Sequence, residues 1–190
     1  MICFLKNIFW DLRDETMRSY FIWAALRNMP GNTGMELRAR WAYRNFTSAG
    51  KNLHIHEGVR FRNFHRISVG NNVEIGVNNF LQAAGGLQLG NDVMLGPGVK
   101  IWTTNHRFSD IQKPIIEQGY DYEEVVIADG CWLGANVFVM PGVKISEGCI
   151  ISAGSLVSKK KYPPFSILAG YPARVMGNRK QQLSPTEIET

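Results

Sequence analysis

Residues 127–160, set in sixes, read IADGCW, LGANVF, VMPGVK, ISEGCI, ISAGSL, VSKK. An aliphatic residue opens each unit: Ile127, Leu133, Val139, Ile145, Ile151 and Val157. Four positions later stands something small or β-branched, namely Cys131, Val137, Val143, Cys149 and Ser155. Between them lie the turn pairs Asp129-Gly130, Ala135-Asn136, Pro141-Gly142, Glu147-Gly148 and Ala153-Gly154. An α-helix cannot hold this register, because a period of six drifts around a 3.6-residue turn and sets Gly or Pro into every second turn. A short strand, a turn and another short strand satisfy it. Three such units close one triangular coil, with the opening aliphatics stacked inside as a column.

The repeat extends toward the N-terminus in a less regular form. Val69, Ile75 and Leu81 are spaced by six, as are Leu89, Leu95 and Ile101, and Ile55 and Phe61 fit the same pattern. Two steps are eight residues long, Phe61 to Val69 and Leu81 to Leu89; the second points to an insertion or bulge at Ala83-Ala84-Gly85-Gly86. Repeats therefore cover residues 53–160, and one long segment, 102–124, interrupts them. A long loop on a rigid scaffold is characteristically functional or disordered.

Three stretches together resemble the hexapeptide acyltransferases, in particular the sugar and polysaccharide O-acetyltransferases: the repeat itself, KIWTTNHRF at 100–108 and AGYPARV at 169–175. The resemblance covers residues 53–180. It implies an all-β fold, a single-stranded left-handed parallel β-helix, with an N-terminal helical extension and a short C-terminal helix in MGNRKQQL. The expected division is 1–48 for the extension, 49–162 for the β-helix with its inserted loop at 102–124, and 163–190 for the tail. The resemblance further implies acetyl-CoA as acyl donor, a saccharide acceptor such as a surface polysaccharide or lipopolysaccharide precursor, and a homotrimer with active sites between subunits.

In such enzymes the histidine ending an aliphatic coil at a short Thr/Ser-Asn/Gly step is the general base, which here is His106. The chemistry suits the residue. Acetyl-CoA is already an activated thioester, so the slow event is attack by a protonated sugar hydroxyl. An imidazole with an ordinary pKa of about 6.5 can take that proton near neutrality. Backbone N–H groups can meet the oxyanion that follows. No Ser-His-Asp set is visible, and direct transfer within a ternary complex follows. A loop histidine that only caps the coil is the structural alternative.

Acceptor candidates are Asn78, Asn79 and Gln82, one coil before the histidine, together with Trp102 and the loop residues Tyr120 and Asp121. For coenzyme A the resemblance points to Trp132, Gly134, Ser152, Ala153 and Gly154 on the later coils, with Lys159, Lys160 and Arg179 for the phosphates. A solvated end of the last coil would explain the lysines equally well.

Composition agrees with one small solenoid. The 190 residues carry 21 Lys and Arg against 16 Asp and Glu, a net charge of +5, and the isoelectric point is near 9.2. That favours anionic partners, whether a nucleotide cofactor, an anionic saccharide or a membrane surface. Nucleic acid is not expected, since the basic residues are scattered and no recognition module is present. Cys131 and Cys149 fall in the inward slot and are expected to stack as buried small residues, consistent with a reducing cytoplasm.

The first 48 residues differ in kind. MRSYFIWAALRNM reads as a helix ended by Pro30-Gly31, and its uncharged apolar run from Tyr20 to Leu26 is too short to span a bilayer. ICFLKNIFW, broken by Lys6, makes a poor signal peptide. Such a helix can cap the open end of a β-helix, or it can hold the protein peripherally at the inner face of a membrane.

Two other classes compete. One is acetylation of an amino group on an amino sugar or an antibiotic, where a deprotonated amine attacks without much help from a base. The other is no transferase at all: a scaffold, or a γ-carbonic-anhydrase-like zinc enzyme. Zinc needs converging histidines, and His54, His56 and His65 all precede the clean repeats, so no metal is expected.

Overall fold

In a computed structural model, which describes residues 2–183, the repeat forms a parallel β-helix. Each coil contributes one short strand to each of three faces. The first face holds five strands, from Ser48–Ala49 to Lys144–Ile145; the third also holds five, from Arg60–Arg62 to Leu156–Val157. The second face carries five coil strands, from His54–Ile55 to Ile150–Ile151, and two more added at its C-terminal edge.

The opening aliphatics lie in register. Ile55 pairs with Ile75, Ile75 with Leu95, Leu95 with Leu133 and Leu133 with Ile151. Every member of this column is 2% exposed or less, so the sixfold period is a record of what must be kept from water. The small residues four positions on fill the corners: Val59, Val99, Val137 and Cys149 are all fully buried. Cys131 and Cys149 stack as neighbouring coils bring them together, and the Cys131 thiol donates to the Ser146 carbonyl at 3.1 Å. Burial pushes the Cys131 thiol up to about 11 and raises that of Cys149 too, which leaves both inert as nucleophiles.

One corner, between the first and second faces, is held by a side-chain ladder. Asn52 donates to Asn72 and Asn72 to Asp92, each at 2.9 Å. All three adopt the left-handed conformation, with φ of 55–56°, which Asn and Asp tolerate better than other side chains.

All the irregular lengths fall at a different corner, between the third face and the first. The two eight-residue steps form the turn with the 3₁₀ helix Phe64–Arg66 and the turn 83–86. The long segment leaves at the next level up, after the strand Lys100–Trp102. It is a β-hairpin, Thr104–His106 paired antiparallel with Tyr120–Tyr122. The three insertions are stacked: Arg66 donates to the Ala84 carbonyl at 2.6 Å, and the Thr103 hydroxyl accepts from the Gly85 N–H at 2.8 Å.

Three helices precede the coils: α1 (Ile2–Arg13), α2 (Glu15–Leu26) and α3 (Gly31–Asn45). The helix expected in MRSYFIWAALRNM is α2, α1 is a further helix ahead of it, and Pro30 starts a third as its N-cap, since a proline costs nothing where the first N–H groups have no helical partner. The helices α2 and α3 close the open end of the solenoid. Trp23 and Trp41 stack at 4.5 Å and meet Phe61 and Phe64 of the first coil. The Trp23 indole donates to the Val59 carbonyl at 3.0 Å.

At the other end, the hairpin of Ser166–Gly170 and Ala173–Asn178 joins the second face, Leu168 beside Ile151. The expected helix in MGNRKQQL is therefore confined to the 3₁₀ segment Arg179–Leu183, because Gly177 and Asn178 pair with Ile167 and Ser166, and Met176 is the bulged residue of the same strand. The rest of the C-terminal tail lies outside the described residues.

Candidate active site

The stacked insertions wall a groove of about 510 Å³ on the third face. Its floor comes from strand positions that register places side by side: Arg62 pairs with Gln82, and Gln82 with Trp102. Its rim is the hairpin, where His106 sits opposite Tyr120 with ring centroids 4.4 Å apart. Tyr122 and Phe80 complete the aromatic lining. His106 is exposed on this rim. Its backbone N–H takes the Asn105 side-chain oxygen at 3.0 Å, and among the described residues no side chain hydrogen-bonds to its ring nitrogens.

Two unpaired donors line the same groove. The Trp102 indole N–H is buried and has no partner among the described residues, which is uncommon for a buried polar group and suits a ligand-facing position. Gln82 uses its side-chain oxygen on the Thr103 hydroxyl at 3.1 Å, while its amide N–H₂ group has no protein partner among the described residues.

Gln82, Trp102 and Tyr120 are therefore brought together with His106. The other acceptor candidates are not. Asn79 is fully buried in the inward slot, where its oxygen accepts from the Val99 N–H at 2.6 Å; it caps the backbone inside the coil and cannot reach a ligand. Asn78 stands at the next corner, in the left-handed conformation at φ 58°. The Asp121 carboxylate turns to Arg107 at 2.7 Å, away from the groove. Arg62, Asn63 and Phe80 line the groove without having been singled out from the sequence.

The coenzyme candidates are scattered over all three corners of one chain. Trp132 is half-exposed on the second face, in a smaller groove of about 300 Å³ beside Met94, Gly96 and the His56–Glu74 pair. Gly134 is sealed between coils, where a Cβ would meet the Ala153 nitrogen at 2.7 Å, so coil stacking alone explains the glycine. Ser152 gives its N–H to Leu168, whereas Ala153 and Gly154 are exposed at the corner that follows. Lys159 pairs with Glu123 at the base of the hairpin and Lys160 is exposed. Arg179 lies at the third corner, donating to the Gly148 carbonyl at 2.8 Å. Among the described residues no three His, Cys, Asp or Glu side chains converge to hold a metal ion.

The sequence profile of the bacterial transferase hexapeptide family (six repeats) matches residues 124–159, the part of the chain with the cleanest columns. These coils carry the repeat of the hexapeptide transferases. A galactoside O-acetyltransferase of Lactococcus lactis is 35% identical over 150 residues, 78% of this chain and 60% of that enzyme. The chain spans less than two thirds of the length of the curated relatives it matches, between 40% and 63% for the first four. Among solved structures, a maltose O-acetyltransferase of Clostridium difficile is 27% identical and superimposes with a TM-score of 0.69, covering 88% of this chain and 90% of that one. A hexapeptide-repeat acetyltransferase of Vibrio cholerae, solved with acetyl coenzyme A, shares the fold at a TM-score of 0.76 and 21% identity, over 84% of each chain.

Proposed function

We propose that this protein transfers an acetyl group from acetyl-CoA to a hydroxyl of a saccharide, with His106 as general base. The observation that carries the reading is the groove on the third face, where an accessible imidazole, two donors unpaired among the described residues and four aromatic rings line one space. Aromatic faces suit the C–H faces of a sugar ring, and the Trp102 and Gln82 N–H groups suit its hydroxyls. His106 takes the hydroxyl proton as oxygen attacks the acetyl carbonyl. The tetrahedral adduct then collapses, breaking the thioester bond, and the imidazolium returns the proton to the departing thiolate. The galactoside and maltose specificities of the relatives support a hydroxyl acceptor. The test is release of free coenzyme A over a panel of sugars, amino sugars and glycan fragments. Turnover confined to amino sugars would replace this reading with N-acetylation.

The active unit in this reading is a homotrimer. The tip of the hairpin exposes Phe108, Ile111 and Ile116 at 67%, 90% and 82%. A cluster of that size calls for cover, and a neighbouring copy of the coils would provide it. An assembly also gathers coenzyme groups that one chain holds apart. Light scattering is expected to give three chains per particle, and a stable monomer at working concentration would end the proposal. Within that assembly Lys159 and Lys160 are assigned to the coenzyme phosphates. Replacing both with Gln is expected to raise the KM for acetyl-CoA more than it lowers turnover, and an unchanged KM leaves Lys159 as a tie to Glu123 only.

A cytoplasmic location at the inner membrane face completes the reading. No described helix is long and apolar enough to cross a membrane. The helix α1 exposes Phe9 and Trp10 with Arg13 over both rings, a combination suited to a lipid headgroup boundary.

A further inference from the structure

The His106 groove has a neighbour. A second depression, of about 370 Å³, lies between the third face and α2, and the two share Arg62 and Phe80 as walls. Three arginines line it: Arg27 from the end of α2, and Arg60 and Arg62 from the first coil. Arg60 and Arg62 flank buried Phe61 on one strand, so both side chains leave the same outer side. No carboxylate lines either depression. Among the described residues, none of the three guanidinium groups pairs with an acid or donates a side-chain hydrogen bond within the protein. Glu57 lies close by in the fold, since its neighbour Gly58 gives its N–H to the Arg27 carbonyl, yet among the described residues it forms no ion pair.

The geometry is fixed from both sides. The Tyr20 hydroxyl of α2 accepts from the Asn63 N–H at 2.7 Å, and Asn63 itself lines the His106 groove. The arginines are therefore held against the site by the helical cap. Three like charges without a counter-ion repel one another, and an oxyanion between them would convert that repulsion into charge-assisted hydrogen bonds. Strands in a sheet lie about 4.8 Å apart, so Arg62 is roughly 10 Å from Trp102, two strands away. That is the scale of one or two sugar rings.

We propose that Arg27, Arg60 and Arg62 form an oxyanion subsite for the acceptor, and that the saccharide taken at His106 carries a phosphate or carboxylate one or two rings from the acetylated hydroxyl. This rests on reading the His106 groove as the acceptor site. It makes the N-terminal helices part of substrate selection as well as an end cap.

The first test needs no turnover. The full chain is titrated calorimetrically with glucose, glucose 1-phosphate and glucuronate, at low and at physiological salt. At least one anionic sugar is expected to bind about tenfold or more tightly than glucose, with the advantage shrinking as salt rises. The double variant Arg27→Gln/Arg60→Gln is expected to remove the advantage, and Arg60→Lys to keep part of it. If the double variant melts well below the parent, each single Gln variant is used instead. Equal binding of charged and neutral sugars overturns the proposal, and so does an advantage that survives in the variants. Coenzyme A is the competing source of phosphate. If the variants weaken its binding and leave the sugar phosphate untouched, the arginines serve the donor and the proposal fails. Turnover separates this subsite from the transfer reaction itself. An arginine-dependent preference without release of coenzyme A from acetyl-CoA keeps the subsite and removes the transferase reading, while transfer with no charge preference does the reverse.

Discussion

His106→Ala is expected to lower turnover by about 10²–10⁴-fold, the usual worth of a positioned general base, while leaving acetyl-CoA affinity and the melting temperature close to those of the parent. The asymmetry follows from where the residue stands. His106 lies on the exposed rim of the hairpin and contributes to no aliphatic column, so its loss opens no cavity in the core. Its ring lies tilted against that of Tyr120, a contact at the surface. The acceptor hydroxyl, by contrast, would have to attack while still holding its proton. His54→Ala, His56→Ala and His65→Ala are the controls, and each is expected to keep substantial activity. His54 lies beneath α3, His56 pairs with Glu74 on the second face, and His65 sits in the 3₁₀ turn, so none lines the groove. Wild-type turnover by His106→Ala on a true hydroxyl acceptor would refute the mechanism. A loss accompanied by unfolding would instead assign the residue to holding the hairpin, and Tyr120→Ala would then be expected to produce the same collapse.

The parts of the molecule that a reader can obtain from residues alone are those where burial imposes a period. Ile55, Ile75, Leu95, Leu133 and Ile151 announce the second face because each must avoid water at the same phase of the coil. The site is legible to the extent that it follows from the same phase. Arg62, Gln82 and Trp102 each follow an inward residue, Phe61, Leu81 and Ile101, so the register alone puts them side by side on the outer surface. The period also held the answer for Asn79, four positions after Ile75 and thus in the inward slot of Val59 and Val99. Its polar character suggests a ligand, but the coil uses it to satisfy a backbone N–H. Two things lie beyond the period. The hairpin at 104–122 has strands too short for alternation to show, and its pairing is set by the coil ends that launch it. The coenzyme candidates sit at three corners, and no one-dimensional pattern says which of those corners the proposed trimer would bring together.

The helical cap was the least legible part, and Arg38 shows why. In GNTGMELRARWAYRN an arginine reads as a solvated position, yet Arg38 is 1% exposed. Its guanidinium donates to the carbonyls of Ile55 at 2.7 Å, Leu26 at 3.2 Å and Met29 at 2.6 Å. Those acceptors belong to the first coil, the end of α2 and the turn into α3, three segments that no strand or helix ladder joins. Burial pulls the guanidinium below its ordinary value and Glu57 pushes it back up, but arginine stays charged in any accessible range. Arg38→Met keeps much of the volume and removes all the donors. It leaves the Ile55 and Met29 carbonyls without these donors, at about 1–3 kcal/mol for each that water cannot reach, while the Leu26 carbonyl still accepts from the Met29 N–H. We expect a loss of about 2–4 kcal/mol, a drop in melting temperature of roughly 5–15 °C for a chain of this size. In a solenoid each coil leans mainly on its neighbours, so the damage should stay local. Hydrogen exchange is expected to quicken in α2, α3 and the first coil, and to stay unchanged in the coils from Val125 to Val157. Arg38→Lys, which can serve fewer of the carbonyls, should fall between. A melting temperature within 2 °C of the parent (no more than the effect of about 1 kcal/mol) would mean that aromatic stacking of Trp23 and Trp41 on Phe61 holds the cap unaided. Uniform exchange along all coils would mean that the solenoid melts as one unit, with no separable cap.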